Sequence, residues 1–346
     1  MYKVGICGHF GGNRKILDGQ TIKTKILTDE LRKNVGKDEV KIVDTYGWKK
    51  GPFSLLIKCI ILLINSKNVI ILPAHNGIKV FAFLFAILNK LLHRNLHYVV
   101  VGGWLPELLE KNTNLRKCLY AFDGIYVETY SMLNKLKKLG LRNARYLPNF
   151  KKLQILNEKE LVYQIEPPYK LCTFSRVLKE KGIEEAIEAV KNVNNFFGRI
   201  VYTLDIYGQV DEKYKERFES IQKEFPSYVS YKGVVDYDKS VNVLKNFFAL
   251  LFPTYYSGEG FPGTILDAYA SGIPVIATNW RYNSEIIEHN VNGIIYESNN
   301  KKKLEEILIK INKKPEILLN MKKNCLNSAK KYTSEVIISN FLDYLD

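Results

Sequence analysis

Short apolar runs alternate with helical patterns along the whole chain, and this alternation constrains the fold more than any other feature. The first series opens with the run Lys3–Cys7, the glycine-rich turn Gly8–Gly12 and a helical pattern, and it continues to the run Ala144–Leu147. Strands that are separated by helices are joined by crossovers and therefore pair in parallel. The pattern predicts a parallel sheet that is covered by helices on both faces.

A second series of the same kind extends from Tyr169–Phe174 to Gly293–Tyr296. A polar stretch without periodicity, which contains Pro167-Pro168, separates the two series. A chain of 346 residues also exceeds the usual size of one hydrophobic core. The sequence therefore predicts an α/β protein of two Rossmann-like, doubly wound domains that face a central cleft. The predicted parts are an N-terminal domain over 1–150, a linker over 151–168, a C-terminal domain over 169–327 and a helix over 328–346 that crosses back to the N-terminal domain.

The positive charge is concentrated in the first half of the chain. Residues 1–150 contain 24 Lys and Arg against 10 Asp and Glu, a net of +14, whereas residues 151–346 contain 27 against 26, a net of +1. This asymmetry indicates an anionic partner for the first half, which could be a membrane surface, a nucleic acid or an acidic ligand.

The cysteines and the apolar runs indicate the cellular compartment of the protein. The five cysteines are dispersed and form no C-x-x-C pair, which is typical of reduced core residues in a cytosolic protein. Met1 is followed at once by a strand pattern, so we expect no signal peptide. The apolar runs Ser54–Ile64 and Val80–Leu88 are too short to span a bilayer, which leaves peripheral attachment open.

The stretch from Phe247 to Ala277 carries the clearest functional pattern. An apolar strand ends at Pro253, and a Gly/Pro-rich turn leads into a short helix of small residues that Gly272 closes. Glu259 lies in the turn and Asp267 lies on the helix. Carboxylates can accept hydrogen bonds from sugar hydroxyls, and a helix N-terminus binds phosphate, so the unit suits a phosphorylated, polyhydroxylated ligand.

Two cations follow the first strand of the second series. Arg176 leaves the strand end, and Lys181 precedes Gly182 and the next helix. A guanidinium fork and an ammonium group at the carboxyl end of a strand suit a diphosphate. A solvated charged loop explains this segment equally well when it is taken alone.

Taken together, these motifs resemble the retaining glycosyltransferases of family 4, which have the two-domain GT-B fold and an E-x7-E element, and in particular those of polysaccharide biosynthesis. The resemblance covers 169–300 in order and spacing. The matching segments are Arg176–Gly182, Ile206–Gly208, Tyr231–Val235 and Glu259–Asp267, with Pro148-Asn149 and Tyr332–Glu335 outside them.

The resemblance implies a role for each residue of the motif. Arg176 and Lys181 would bind the donor diphosphate, Glu259 would contact the donor sugar, and Asp267 would accept hydrogen bonds from the ribose. Arg176, Lys181 and Glu259 are the implied catalytic residues. The remaining donor-binding residues implied by the family are Gly11, Gly12, Gly260, Phe261, Pro262, Gly263 and Thr264. The family needs no metal and no other cofactor, because the nucleotide-sugar is a substrate.

Three positions depart from the family pattern. Asp267 replaces the usual second Glu and has a shorter reach. The segment Val101–Pro106 lacks the family histidine that follows the fourth strand, and Tyr282–Glu285 lacks the usual Gly-Gly. His75, Gly103 and Trp104 are the candidate acceptor residues, although a structural role for His75 and a core or rim position for Trp104 remain open. Front-face displacement is favoured over a double displacement, and both remain open.

The acceptor follows from charge rather than from a motif. We expect a saccharide acceptor, linked to a polyprenyl lipid, in capsule, exopolysaccharide or O-antigen synthesis by a bacterium. The expected location is cytoplasmic, with peripheral binding to the anionic inner face of the membrane. No nucleic-acid-binding motif accompanies the basic charge, so a nucleic-acid partner is not expected. A nucleotide-sugar epimerase on the same fold and a non-catalytic nucleotide-sugar-binding protein remain alternatives.

One further motif concerns a metal. Asp236-Tyr237-Asp238 spells D-x-D, which binds metal and nucleotide in a different glycosyltransferase fold. It directly precedes a helical pattern, which favours a helix cap instead.

Overall fold

A computed structural model describes residues 1–12, 18–298, 300 and 302–345 of the chain. The chain divides into two compact units. The first unit comprises Met1–Lys152 together with the segment from Tyr332 onward, and the second unit comprises Leu153–Lys331. Each unit is built around one six-stranded parallel sheet, so the two predicted Rossmann-like domains are confirmed.

The first sheet has the strand order β2-β1-β3-β4-β5-β6. Its strands are β1 (Tyr2–Gly8), β2 (Val40–Asp44), β3 (Ser66–Leu72), β4 (Asn95–Val99), β5 (Gly124–Val127) and β6 (Ala144–Tyr146). Its first six helices are α1 (Gly19–Val35), α2 (Pro52–Asn65), α3 (His75–Leu92), α4 (Leu105–Lys111), α5 (Thr113–Leu119) and α6 (Tyr130–Lys138).

The second sheet has the strand order β12-β11-β10-β7-β8-β9. Its strands are β7 (Tyr169–Phe174), β8 (Tyr202–Tyr207), β9 (Val229–Gly233), β10 (Ala249–Phe252), β11 (Val275–Thr278) and β12 (Gly293–Tyr296). Its helices are α7 (Ile183–Phe197), α8 (Lys215–Gln222), α9 (Ser240–Leu244), α10 (Gly263–Ala270), α11 (Asn283–Ile286), α12 (Lys302–Lys313), α13 (Glu316–Leu319) and α14 (Lys322–Lys330).

The last helix, α15 (Ser334–Leu342), packs in the first unit. Its apolar residues Ile337, Ile338 and Phe341 are buried among side chains of β1, α1 and β3. The backbone carbonyl of Leu345 also accepts a hydrogen bond of 2.7 Å from the side-chain amide of Asn68. The C-terminal segment therefore completes the core of the unit that begins the chain.

The order of the strands locates the ligand-binding edge of each unit. In the second sheet the chain proceeds outward from β7 through β8 to β9 and then returns to β10 on the other side of β7. In the first sheet the corresponding reversal lies between β1 and β3. Ligands of doubly wound sheets bind beyond the carboxyl ends of the strands at such a reversal. The loops after β7 and β10, and those after β1 and β3, therefore occupy the binding edges of their units.

Two predicted elements differ in extent from the structure. The pattern near 105–120 predicts one helix, whereas the structure has two, because Asn112 ends α4 and its side chain accepts a hydrogen bond from the Leu115 amide at the start of α5. The apolar run Tyr98–Val101 predicts a strand, and in the structure this strand, β4, begins at Asn95 and ends at Val99. The run Asn95-Leu96-His97 contains two polar residues, which concealed the start of a buried strand.

Helix α3 is longer than the apolar run that the sequence indicated. It has 18 residues and is apolar enough to cross a membrane by length and composition alone. Five of its residues, including Phe81 and Phe85, are buried within the first unit. Mostly buried core helices of soluble proteins pass the same test, so this finding is weak evidence for a membrane span.

Candidate active site

The loops after β7 and β10 touch each other at the reversal of the second sheet. Gly182 has a positive φ of 74°, and a Cβ atom there would lie 2.2 Å from the carbonyl oxygen of Pro253. The amide of Tyr255 donates a hydrogen bond of 2.8 Å to the carbonyl of Glu180. Only glycine at position 182 permits both the backbone conformation and this close approach. The two loops that carry the predicted cations and carboxylate are therefore held together by their backbones.

Lys181 and Glu259 form a buried ion pair between these loops. The Lys181 Nζ and Glu259 Oε2 atoms lie 2.5 Å apart, and the two residues are 9% and 7% exposed. The Thr254 hydroxyl donates a second hydrogen bond, of 3.0 Å, to the same carboxylate oxygen. Removing one member of a buried pair leaves the other charged and desolvated, at a cost of about 3–5 kcal/mol. The pair fixes the position of both side chains.

Arg176 lies at the exposed rim of the same edge. Its side chain is 47% exposed and its Nη1 atom is 3.7 Å from Asp211 Oδ2. The ring of Tyr256 lies 5.6 Å from the Arg176 guanidinium carbon and 5.2 Å from Lys181 Nζ. One aromatic ring thus contacts both cations, and the structure brings together Arg176, Lys181 and Glu259 as the sequence predicted.

Helix α10 begins immediately after this pair. Gly260, Phe261 and Pro262 are buried in the approach to the helix, and Gly263 and Thr264 form its first turn at partly exposed positions. Within the part of the chain that the structure describes, Thr264 Oγ1 is buried without a hydrogen-bond partner. The first backbone amides of a helix have no acceptor within the helix, so this turn presents hydrogen-bond donors at the edge of the sheet.

Asp267 faces a neighbouring helix. It is 4% exposed, and its Oδ1 atom accepts a hydrogen bond of 2.9 Å from the hydroxyl of Ser240 in α9. A contact between Asp267 and a ribose therefore stays a prediction. Lys239 is the N-cap of α9, which begins at Ser240, and its side chain makes no capping hydrogen bond. Its amide donates a hydrogen bond of 2.9 Å to the Asp236 carbonyl, and a capping role for the segment Asp236–Asp238 stays a prediction.

The glycine-rich turn of the first unit is organised by Asp44. Its carboxylate accepts hydrogen bonds from the backbone amides of Phe10, Gly12 and Tyr46, at 2.8–2.9 Å. Gly11 and Gly12 have positive φ angles of 88° and 56°. The glycines are needed for this backbone path, and the Gly12 amide is already engaged. Their contact with a donor phosphate stays a prediction.

The three acceptor candidates gather at one corner of the first unit. The rings of His75 and Trp104 make an edge contact with centroids 5.1 Å apart, and the Trp104 indole donates a hydrogen bond of 2.9 Å to the Val101 carbonyl. Gly103 is buried within the same turn. His75 is exposed and begins α3, so it lies at the reversal between β1 and β3.

A buried ion pair beneath this corner escaped the sequence reasoning. Lys23 Nζ lies 2.5 Å from Glu128 Oε1 and donates a hydrogen bond of 3.1 Å to the Val100 carbonyl. The other oxygen of Glu128 accepts a hydrogen bond of 3.3 Å from the Gly102 amide. The pair thus braces the turn that carries Gly103 and Trp104. No local pattern could reveal it, because its members are far apart in the sequence.

Other residues of the second site were also missed. Thr254, Tyr256 and Asp211 contact the predicted Glu259, Lys181 and Arg176. The sequence signal for the first two is their place directly after a strand-ending proline, in the segment Pro253–Tyr256. Asp211 follows β8 and had no such signal.

Comparison with known proteins identifies the second unit. The family model described as Glycosyl transferases group 1 matches residues 158–331, which include the Lys181–Glu259 pair and α10. The GtfA subunit of a UDP-N-acetylglucosamine–peptide N-acetylglucosaminyltransferase of Streptococcus agalactiae is 29% identical over 49% of this chain and 32% of its own length. The chain thus spans about a third of the length of that relative.

Two further similarities extend over more of the chain. The N,N'-diacetylbacillosaminyl-diphospho-undecaprenol alpha-1,3-N-acetylgalactosaminyltransferase of Campylobacter jejuni is 21% identical over 61% of this chain and 53% of its own length. The crystal structure of HepE from Anabaena in complex with UDP and glucose aligns with a TM-score of 0.74, at 13% identity, over 100% of this chain and 99% of that chain. The latter similarity concerns the fold. Because the family model matches half of its length, the chain belongs to the glycosyl transferases group 1 family.

Proposed function

We propose that this protein is a retaining glycosyltransferase that moves a sugar from a UDP- or GDP-sugar to a saccharide acceptor. The observation that carries the proposal is the buried Lys181–Glu259 pair, which joins the two loops at the reversal of the second sheet beside the first turn of α10. This arrangement lies in the segment that matches the glycosyl transferases group 1 model.

The chemistry of the donor suits this edge. When the nucleotide leaves, negative charge develops on its diphosphate, and fixed cations with a helix N-terminus can stabilise that charge. The ammonium of Lys181 has three N–H donors, and the Glu259 carboxylate uses one of them. The remaining donors, with the exposed guanidinium of Arg176, would bind the diphosphate. The pair also keeps Lys181 in position before the donor arrives.

The transfer step follows from the same groups. The bond between the anomeric carbon and the diphosphate oxygen breaks, and a bond to the acceptor oxygen forms on the same face of the sugar. The acceptor proton passes to the departing phosphate oxygen, so no protein nucleophile and no metal enter the step. Glu259 would hold the donor sugar, and Gly260, Phe261, Pro262, Gly263 and Thr264 would surround it with α10. Asp267 would contact the ribose.

Two similarities favour a uridine donor. The Streptococcus relative is named for transfer from UDP-N-acetylglucosamine, and the HepE structure contains UDP and glucose. For the acceptor, the Campylobacter relative is named for a diphospho-undecaprenol substrate. With the charge of +14 on residues 1–150, this favours a polyprenyl-linked saccharide at the cytoplasmic face of an anionic membrane. His75, Gly103 and Trp104 would contact it, and capsule, exopolysaccharide or O-antigen synthesis is the proposed setting.

A donor screen tests the proposal and its alternatives. Thermal unfolding is followed with UDP-, GDP- and ADP-sugars, and turnover is then measured with the donor that stabilises most, with and without EDTA. We expect stabilisation, sugar transfer with retention at the anomeric carbon, and no effect of EDTA. Stabilisation without transfer would favour a non-catalytic nucleotide-sugar-binding protein, and a changed sugar without transfer would favour an epimerase. Failure of every nucleotide to stabilise the protein would refute the donor site.

A further inference from the structure

Helix α2 exposes a stripe of apolar side chains. Phe53, Ile57, Ile61 and Ile64 are all exposed, and Phe53 is exposed to 81%. At 100° of rotation per residue these four positions fall within about 80° of the helix circumference. The opposite side of α2, with Leu55, Cys59, Leu62 and Leu63, is buried against the sheet. The exposed stripe is therefore a second apolar face, which the core of this unit does not require.

Helix α3 exposes a similar stripe beside it. Val80, Ile87 and Leu91 are exposed, Leu91 to 86%, and they fall within about 40° of the helix circumference. Helices α2 and α3 pack against each other. Arg94, which follows α3, also donates a hydrogen bond of 3.1 Å to the Ile64 carbonyl at the end of α2. We name these seven apolar residues, with the lysines around them, the α2–α3 surface.

The charge of this part of the chain has one sign. Between residues 45 and 106 the sequence contains no Asp or Glu, whereas it contains seven Lys and Arg. The lysines of the α2–α3 surface are exposed: Lys49, Lys50, Lys58, Lys79 and Lys90. An apolar stripe flanked by lysines, with no carboxylate near in sequence, matches a layer of anionic headgroups over hydrocarbon.

We infer that the α2–α3 surface is where this protein docks on an anionic phospholipid bilayer. The inference rests on the proposed function, which explains why the protein would bind a membrane. It adds the surface that meets the membrane. The apolar side chains enter the boundary between headgroups and acyl chains, while the lysines contact phosphate groups. A second copy of the chain is a poorer occupant, because a symmetric dimer would place these lysines against one another.

Another basic helix of the same unit lacks the apolar half of this pattern. Helix α6 exposes Lys135, Lys137 and Lys138, but its aliphatic residues Met132, Leu133 and Leu136 are buried. Lys135 also lies 3.4 Å from a carboxylate oxygen of Glu107. Helix α6 therefore supplies a control with three exposed lysines and no exposed aliphatic stripe.

Co-flotation with vesicles tests the inference. The vesicles contain either phosphatidylcholine alone or equal parts of phosphatidylcholine and phosphatidylglycerol, and no nucleotide-sugar is added. We expect the wild-type protein to float with the mixed vesicles and to be released by salt in part. The double variant Phe53→Ser/Ile57→Ser should partition at least about tenfold less, since two exposed side chains no longer enter the bilayer. The triple variant of Lys49, Lys50 and Lys58 to Gln should lose about tenfold or more.

Two matched variants control for charge and hydrophobicity. Changing Lys135, Lys137 and Lys138 to Gln removes the same charge from α6, and Phe196→Ser/Ile200→Ser removes two exposed apolar side chains from the second unit. Both should float like the wild type. Thermal unfolding of every variant shows that it is folded, which the exposure of the changed residues leads us to expect.

Four outcomes of the flotation and oligomer measurements overturn the inference. Wild-type protein that stays unbound, α2 variants that float like the wild type, or binding that depends on the α6 lysines would each refute it. A dimer in solution that the Phe53→Ser/Ile57→Ser variant dissociates would assign the surface to a second copy instead. Donor binding is measured separately by thermal shift. Loss of flotation with intact donor binding refutes only the docking surface, whereas flotation without donor binding refutes only the proposed function.

Discussion

The two units have the same architecture but carry different chemistry at the reversal of their sheets. In the second unit a buried ion pair, Lys181–Glu259, joins the two loops at that place, and Arg176 lies at its rim. In the first unit the corresponding loops carry a glycine turn closed by Asp44 and the exposed ring of His75. One fold thus supplies an edge held by a charged pair in one unit and an edge that presents aromatic rings in the other. Function resides in the loops rather than in the sheet.

The largest expected effect comes from a variant that removes the ion pair at the charged edge of the second unit. The variant Glu259→Gln leaves Lys181 buried with a neutral neighbour and removes an acceptor from the donor sugar. We expect kcat to fall by about 10²–10³-fold, as on loss of a group that stabilises a transition state, and the free energy of unfolding to fall by about 3 kcal/mol. Steady-state transfer assays and denaturant unfolding measure the two effects.

A neighbouring carboxylate provides the control for that variant. Glu180 is exposed on the same turn as Lys181, and its side chain should not contact the donor. Glu180→Gln should retain wild-type kcat and stability. Equal losses in the two variants would show that the ion pair has no special part in transfer.

A smaller effect is expected on the stability of the first unit, which should depend on pH. Burial lowers the pKa of His97 to about 4, because the charged imidazolium would be desolvated in the strand layer, where the ring contacts Tyr126 and Asn68. Since the folded pKa lies below the ordinary value, the stabilisation is complete above about pH 6.5 and is lost as the pH falls toward 4. We expect the first unit to lose about 3 kcal/mol of stability over this interval.

Tryptophan fluorescence can follow this transition. Trp48 and Trp104 lie in the first unit and Trp280 lies in the second, so the signal is weighted toward the first. The variant His97→Gln should flatten the pH dependence between 6.5 and 4. The variant His93→Asn, at an exposed position, should leave it as in the wild type. If the stability of His97→Gln depends on pH as that of the wild type does, His97 is not the group that titrates.

The next effect concerns donor affinity. Arg176 is half exposed, so the variant Arg176→Ala should fold normally, but the diphosphate would lose a charge-assisted, bidentate partner. We expect the KM for the donor to rise about 10–30-fold, with a smaller change in kcat. A KM for the acceptor that rises instead would assign Arg176 to the other substrate. The variant Arg176→Lys should retain only part of the donor affinity, since lysine cannot form the planar fork of arginine.

The smallest expected effect belongs to the aromatic edge. The variant Trp104→Ala should raise the KM for the saccharide acceptor about 5–10-fold and leave the KM for the donor unchanged, because a lost stacking contact contributes about 1 kcal/mol. The variant His75→Ala, which removes the ring that contacts Trp104, should raise the KM for the acceptor by a smaller factor. If both variants change donor KM, the two edges do not serve separate substrates.

The sequence predicted the two sheets almost completely because buried parallel strands are short apolar runs between helices. The strands Tyr169–Phe174 and Gly293–Tyr296 have the bounds that their composition indicated. The predictions failed where polar residues enter a buried element, as in β4, or where one side chain interrupts a helical pattern, as Asn112 does.

The site was predictable to the extent that its residues share a local motif. Arg176, Lys181 and Glu259 each follow a strand, so parallel pairing brings them to one edge. Asp211, which lies beside Arg176, and the members of the pair Lys23–Glu128 come from distant segments of the chain. Their contacts depend on the packing of loops, which periodicity does not encode.

The measurement that tests the central claim most directly is the binding of UDP by titration calorimetry, together with sugar transfer, in two lysine variants. Lys181→Met removes the buried ammonium of the proposed donor site, and Lys179→Met removes an exposed one from the same turn. We predict that Lys181→Met weakens UDP binding by at least about tenfold and abolishes measurable transfer, since a charge-assisted hydrogen bond is lost. Lys179→Met should match the wild type. Wild-type UDP affinity and transfer in a folded Lys181→Met variant would contradict the account.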